Sequence, residues 1–225
     1  DLGQQRPPIA PAPDDVTPPL SFAQQRMWFL DQLEPKNPQY NIPDAVRIKG
    51  ALDIERLTAC IQEVVDRHEV LRTAFVTVDG KPQLSVIDPL VVQIPVIDIS
   101  ELNANERETQ AQHLIHETAT TGFDLSTAPL FRIRLIKLAE SDYILASTMH
   151  HSISDGWSFG ILIREVGQLY DRRGRGDDTP LPPLPLQYAD FAHWQRHWLQ
   201  GETLDNEINY WKEQLGETDE VLDLP

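Results

Sequence analysis

The chain has 225 residues, a hydrophobic fraction of 40% and a formal charge of −16. That length and apolar content support one large domain or two small ones with a real core. The acidity excludes a reader of nucleic acid or of an anionic membrane surface, since both need clustered Lys and Arg. A single cysteine, Cys60, rules out an internal disulfide, and no apolar run reads as a membrane span or signal peptide, so a soluble cytoplasmic protein is expected.

Residues 1–19 hold six prolines and almost no large apolar side chain, the composition of a semi-rigid linker excised from a longer polypeptide. Ser21 and Gln24 have the spacing of a capping box and predict a helix to about Leu33, ended by Glu34-Pro35. Ala45–Leu52 alternates like a strand. Asp53 is placed to cap a second helix, in which Ile54, Leu57, Ile61, Val64 and Val65 recur at helical spacing to about His68. Cys60 falls on the apolar side of that helix and reads as core.

Leu71–Val78 predicts a strand, and Asp79-Gly80 a hairpin turn into Gln83–Ile87. Val91–Ile97 is a further candidate strand. Ser100 is placed to cap a polar helix over about Asn103–Thr120. Leu130–Leu138 and Tyr143–His150 predict two strands joined by a polar turn, and Trp157–Arg172 an amphipathic helix. A Pro-rich excursion over 174–185 precedes two more helices, about Gln187–Gln200 and Leu204–Leu215. Residues 201–225 carry eight acidic side chains and one lysine, a solvated surface or one that meets a basic partner. Strands and helices alternate, which predicts a layered α/β domain. No glycine-rich phosphate loop is present.

The segment Met149-His150-His151-Ser152-Ile153-Ser154-Asp155-Gly156-Trp157-Ser158 is the richest in chemistry. Histidine takes and gives protons near neutral pH. Adjacent residues of a strand point to opposite faces, so both imidazoles cannot readily ligate one metal ion, and no metal site is expected. Two readings remain: ordinary strand-end histidines, or one imidazole in a cleft, one in the core, and Asp155 fixing the loop between strand and helix.

This segment resembles the active-site motif of the condensation domains of nonribosomal peptide synthetases, whose His-His-x-x-x-Asp-Gly core is shared with the chloramphenicol acetyltransferase superfamily. Three other segments resemble core motifs of the same family, in the family's order: 21–30 (SFAQQRMWFL), 67–75 (RHEVLRTAF) and 188–195 (YADFAHWQ). Tyr40-Asn41-Ile42-Pro43 resembles the subtype that joins an L-configured donor to an L-configured acceptor.

The resemblance implies a two-layer sandwich of helices on a mostly antiparallel or mixed sheet, the acetyltransferase-like N-terminal lobe. Residues 20–200 would be that lobe, 1–19 a linker from an upstream carrier domain, and 201–225 an acidic helix followed, at Val221–Pro225, by the start of a linker to a C-terminal lobe. It implies amide formation between donor and acceptor thioesters, with no cofactor bound directly and both substrates carried on the phosphopantetheine of carrier proteins. His151 would act on the attacking amine, and Gly156 would offer a backbone N–H to the developing oxyanion. His150 and Asp155 would support the site, with Asp155 buried against Arg72. Trp157, Ser158 and Trp28 would line the substrate channel. A lobe without its partner is expected to catalyse poorly and to self-associate through its uncovered face.

Overall fold

The computed structural model describes residues 6–13 and 15–216. The expected linker start at Val221–Pro225 lies outside the described residues.

Helix α1 (Phe22–Leu33) opens on the expected capping box, with Ser21 accepting from the Gln24 N–H and the Gln24 side chain accepting from the Ser21 N–H. Strand β1 (Asn41–Lys49) starts earlier than its alternation predicts, because it takes in Pro43. It lies at the edge of the sheet and pairs with one neighbour, where a missing N–H is tolerated. Helix α2 (Ile54–Arg67) is capped by Asp53 and buries Leu57, Cys60, Ile61, Val64 and Val65, the predicted stripe. A 3-10 turn over Glu69–Arg72 takes the first two residues of the expected strand, so β2 runs Thr73–Val78. Asp79 and Gly80 both have positive φ (50° and 75°), the paired left-handed geometry of a tight hairpin into β3 (Lys81–Val86).

Of the candidate strand at Val91–Ile97 only its end pairs, as β4 (Val96–Asp98), parallel to β5. Helix α3 (Ala104–Thr120) is capped by Asn103, not by Ser100, whose hydroxyl and N–H both donate to Asp98. Strands β5 (Phe131–Ala139) and β6 (Asp142–His150) form the centre of a mixed four-stranded sheet of order β1-β6-β5-β4. Helices α4 (Gly156–Gly174), α5 (Tyr188–Trp198) and α6 (Gly201–Leu215) complete the chain.

The period-two alternation of β5 and β6 sends side chains to two cores. Phe131, Ile133, Leu145 and Met149 face α2 and α4 in the larger cluster. Ile136, Leu138 and Ala146 pack on Ala111 and Leu114 of α3 in the smaller one. Helices therefore cover both faces of the sheet. This is the α/β architecture predicted, with one parallel strand making the sheet mixed. It places the end of β6 beside the start of α4, where the His-His segment lies.

Candidate functional site

β6 delivers His150 in the phase of the α3 face. The side chain is 4% exposed and meets the rings of Tyr40 and Phe123 edge-on, with centroids 6.4 and 6.2 Å away. Its Nδ1 accepts the Ser152 N–H at 3.1 Å and lies 2.8 Å from the Ser152 hydroxyl. Burial, with the neighbouring His151 second, lowers its pKa to about 4, so His150 is neutral at physiological pH.

One residue on, the chain leaves the strand. The His151 N–H donates to the Tyr40 carbonyl at 2.8 Å, and its ring Nδ1 lies 2.9 Å from the Ser154 carbonyl. A carbonyl only accepts, so Nδ1 carries a hydrogen and, in the neutral ring, Nε2 has the lone pair. His151 is on the wall of a cavity of about 490 Å³ bounded by α1, α4, the 151–155 loop and the segment entering α5. Such an imidazole can take a proton from a group bound in the cavity.

Asp155 closes the loop as the N-cap of α4. Its carboxylate accepts the Ser158 N–H at 2.7 Å and the Ser158 hydroxyl at 2.6 Å, which holds its pKa below the ordinary carboxylate range. Gly156 is the first helical residue, and a Cβ there would meet nothing within 4 Å. No contact demands glycine; its effect is to leave the backbone at the positive end of α4 uncovered.

The expected Arg72–Asp155 pair is not formed. Asp155 is exposed and satisfied by its own helix. Arg72 is 7% exposed and turned the other way. It donates to the carbonyls of Val65 (3.2 Å), Asp66 (3.1 Å) and Ile87 (3.0 Å), with Asp88 3.5 Å away. Val65 and Asp66 lie in the last turn of α2, where carbonyls lack intrahelical partners. Arg72 caps that helix and ties it to the end of β3.

The three expected channel residues separate. Ser158 lines the cavity. Trp28 instead packs against the larger core, its Nε1 buried without a hydrogen-bond partner. Trp157 is 83% exposed and off the cavity wall, because the first turn of α4 points it to solvent.

The cavity also contains residues whose part could not be read from single motifs. Tyr40 holds the His151 backbone and edges the His150 ring. His68 lines the cavity with its Nε2 2.7 Å from Glu165 on α4. The bonds of Ser152 to His150 follow from a two-residue spacing; the Glu165 pair spans 97 positions and leaves no local signal.

A family model described as Condensation domain matches residues 15–225. The chain belongs to the condensation-domain family. It is 44% identical over 218 residues to a linear gramicidin synthase of Brevibacillus parabrevis, covering 97% of this chain and 3% of the synthase. It is 42% identical to the phosphinothricin tripeptide synthetase PhsC of Streptomyces viridochromogenes, covering 97% of this chain and 20% of that protein. Among solved structures, the X-domain in complex with OxyB from teicoplanin biosynthesis superposes with a TM-score of 0.85 at 26% identity, over 99% of this chain and 48% of that one. The starter condensation domain of rhizomide synthetase RzmA gives 0.80 at 23% identity, over 92% and 49%, a likeness of fold. The chain therefore spans about half of these solved domains and a small share of the synthetases.

Proposed function

We propose that this chain is the N-terminal lobe of a condensation domain that forms a peptide bond between two carrier-bound thioesters, an L-configured donor and an L-configured acceptor. The observation that carries the reading is His151: its Nδ1 is committed to the Ser154 carbonyl, and Nε2 keeps a lone pair on a cavity wall. The acceptor amine attacks the donor carbonyl, the C–N bond forms, the C–S bond breaks, and the carrier thiol leaves. His151 orients the amine and receives its proton. The Gly156 N–H, at the start of α4, faces the oxyanion that develops. His150, neutral and internal, supports the loop. Asp155 anchors it, and Ser158 belongs to the wall of the substrate channel. Arg72 acts at a distance, through α2.

Residues 20–200 make up the lobe, and residues 1–19 tether it to an upstream carrier domain. The acidic α6 begins the passage to a C-terminal lobe. Two facts support a second lobe: the solved relatives are about twice as long, and α6 buries no residue while exposing Ile208, Trp211 and Leu215. Without that lobe the chain self-associates and catalyses weakly. A peptide-bond assay with two loaded carriers tests this. The completed domain should give amide product, prefer an L-donor over its D-epimer, and lose the product on His151→Ala. Efficient turnover by the 225-residue chain alone would refute the assignment as a lobe.

The X-domain complexed with OxyB favours a second reading, a lobe that recruits a partner enzyme without condensing. Partner binding that survives His151→Ala, in a completed domain that yields no amide, would select it.

A further inference from the structure

The cavity has a second end that the reaction above does not use. Its α4 wall runs through Ser158, Ile161 and Leu162, and the next residue at helical spacing is Glu165. Ser158 to Glu165 is about 10 Å along the axis at ~1.5 Å per residue. There the Glu165 carboxylate receives His68 Nε2 at 2.7 Å and Arg67 Nε at 3.4 Å, with the three side chains only 13–17% exposed. Arg67 also donates to the Pro182 carbonyl, and the Gln187 side chain donates to the Arg67 carbonyl, so the cluster is held from α2, α4 and the segment before α5. A carboxylate can only accept. Nε2 of His68 therefore carries a hydrogen, and in the neutral ring Nδ1, for which no described protein group is a partner, has the lone pair. Besides polar residues such as Arg26, Ser158, Gln187 and Tyr188, the cavity wall includes the apolar side chains of Met27, Leu71, Ile161, Leu162 and Leu186.

We propose that His68 is a positioning residue for the pantetheine arm of a carrier-bound substrate, its Nδ1 accepting the N–H of the arm's distal amide. The proposal rests on the reading that the substrates arrive as carrier thioesters. About eight bonds separate the reacting carbonyl carbon from that amide nitrogen, roughly 9 Å when extended. This matches the axial distance from Ser158, beside the reacting end, to Glu165. The arm's methylenes suit the apolar walls, and its amide supplies the donor that a lone imidazole acceptor needs.

The test shortens the substrate rather than the protein. In the complete domain carrying this chain, donor and acceptor are offered in turn as a pantetheine thioester or as an N-acetylcysteamine thioester, which ends before the distal amide. His68→Ala should raise KM for one of the pantetheine substrates about five- to tenfold, the worth of one neutral hydrogen bond, with kcat little changed. It should leave both N-acetylcysteamine substrates unaffected. His68→Asn, whose Oδ1 stands near the place of Nδ1, should recover most of the loss. Equal losses on long and short substrates would make His68 purely structural and overturn the proposal. A wild-type domain that gives no amide with any substrate would instead overturn the reading of the function. Should His68→Ala fail to fold, the imidazole 15N signals of the wild-type chain decide. Pantetheine must shift His68 Nδ1 and N-acetylcysteamine must not; no shift with pantetheine overturns the proposal.

Discussion

The junction between β6 and α4 and the helix that ends the described chain are built by opposite means. At the junction, short-range bonds tie the polar side chains: Ser152 to His150, the Ser154 carbonyl to His151, Ser158 to Asp155, while the Tyr40 carbonyl holds the His151 N–H from afar. Helix α6 buries nothing, and with Arg6 and Trp198 its apolar side borders an open groove of about 1000 Å³. One region makes most of its bonds locally; the other has an apolar side that is not buried among the described residues. A folded site therefore does not require a folded whole, and the junction should keep its geometry even where the chain stands without further protein.

The sharpest way to break that contrast is at the junction's two histidines. In the completed domain, His151→Ala should lower the condensation rate about a hundred- to ten-thousandfold, the usual range for a lost acid–base group, and leave the melting temperature nearly unchanged. A small rate loss with a large drop in stability would make His151 a packing residue like its neighbour. His150 should respond to pH through stability. Its native pKa, about 4, lies below the unfolded value of 6.5. The unfolded chain therefore takes up a proton first as pH falls. Stability should be fully present above pH 6.5 and decline between 6.5 and 4, by up to about 3 kcal/mol. Chemical denaturation at a series of pH values measures the slope, and His150→Gln, which does not titrate, should flatten it. An unchanged slope would show that His150 is not the group responsible.

Smaller effects probe how local the junction is. Asp155→Ala should cost about 1 kcal/mol, a few degrees in melting temperature, because the first turn of α4 loses its cap. Asp155→Asn should cost much less, since asparagine caps equally well. Were the charge needed for a distant partner, Asn would be as harmful as Ala. On α6, Trp211→Ser should change stability by no more than about 0.5 kcal/mol and reduce self-association in sedimentation experiments. A large loss of stability there would mean that α6 is already packed.

What the sequence made legible divides along the same line. Capping at Ser21 and Asp53 acts over three residues, and the apolar stripes of α2 and β5 have short periods, so these elements and the His-His segment could be read directly, whereas Asp155 was expected to pair with Arg72 and caps α4 instead. β4 could not be delimited: the run from Val91 to Ile97 is apolar but for Gln93, yet only its end finds a neighbouring strand, and the pairing is set by β5 some forty residues later. Ser100 was a plausible cap until Asp98 claimed it. The four motifs placed the cavity's residues in one family and order, but not in contact with one another. Glu165 lies in none of them, and its bond to His68 depends on how α2 crosses α4.

Arg72 and Asp155 give the finest test of that division. Paired charges are a natural expectation for two motif residues with opposite signs, and a buried pair would be strongly coupled. Here each has a different task. Arg72 closes the C-terminal carbonyls of α2, and Asp155 caps the N-terminus of α4. Residues that share no partner add their effects. In a double-mutant cycle of Arg72→Ala and Asp155→Ala, the coupling energy should be zero within about 0.5 kcal/mol. Arg72→Ala alone should be the costlier change, since it strands buried carbonyls at the end of α2. A coupling well above about 1 kcal/mol would mean that the two side chains meet after all, in a state where Asp155 gives up Ser158. The junction would then depend on the α2 end, and its self-sufficiency would be lost.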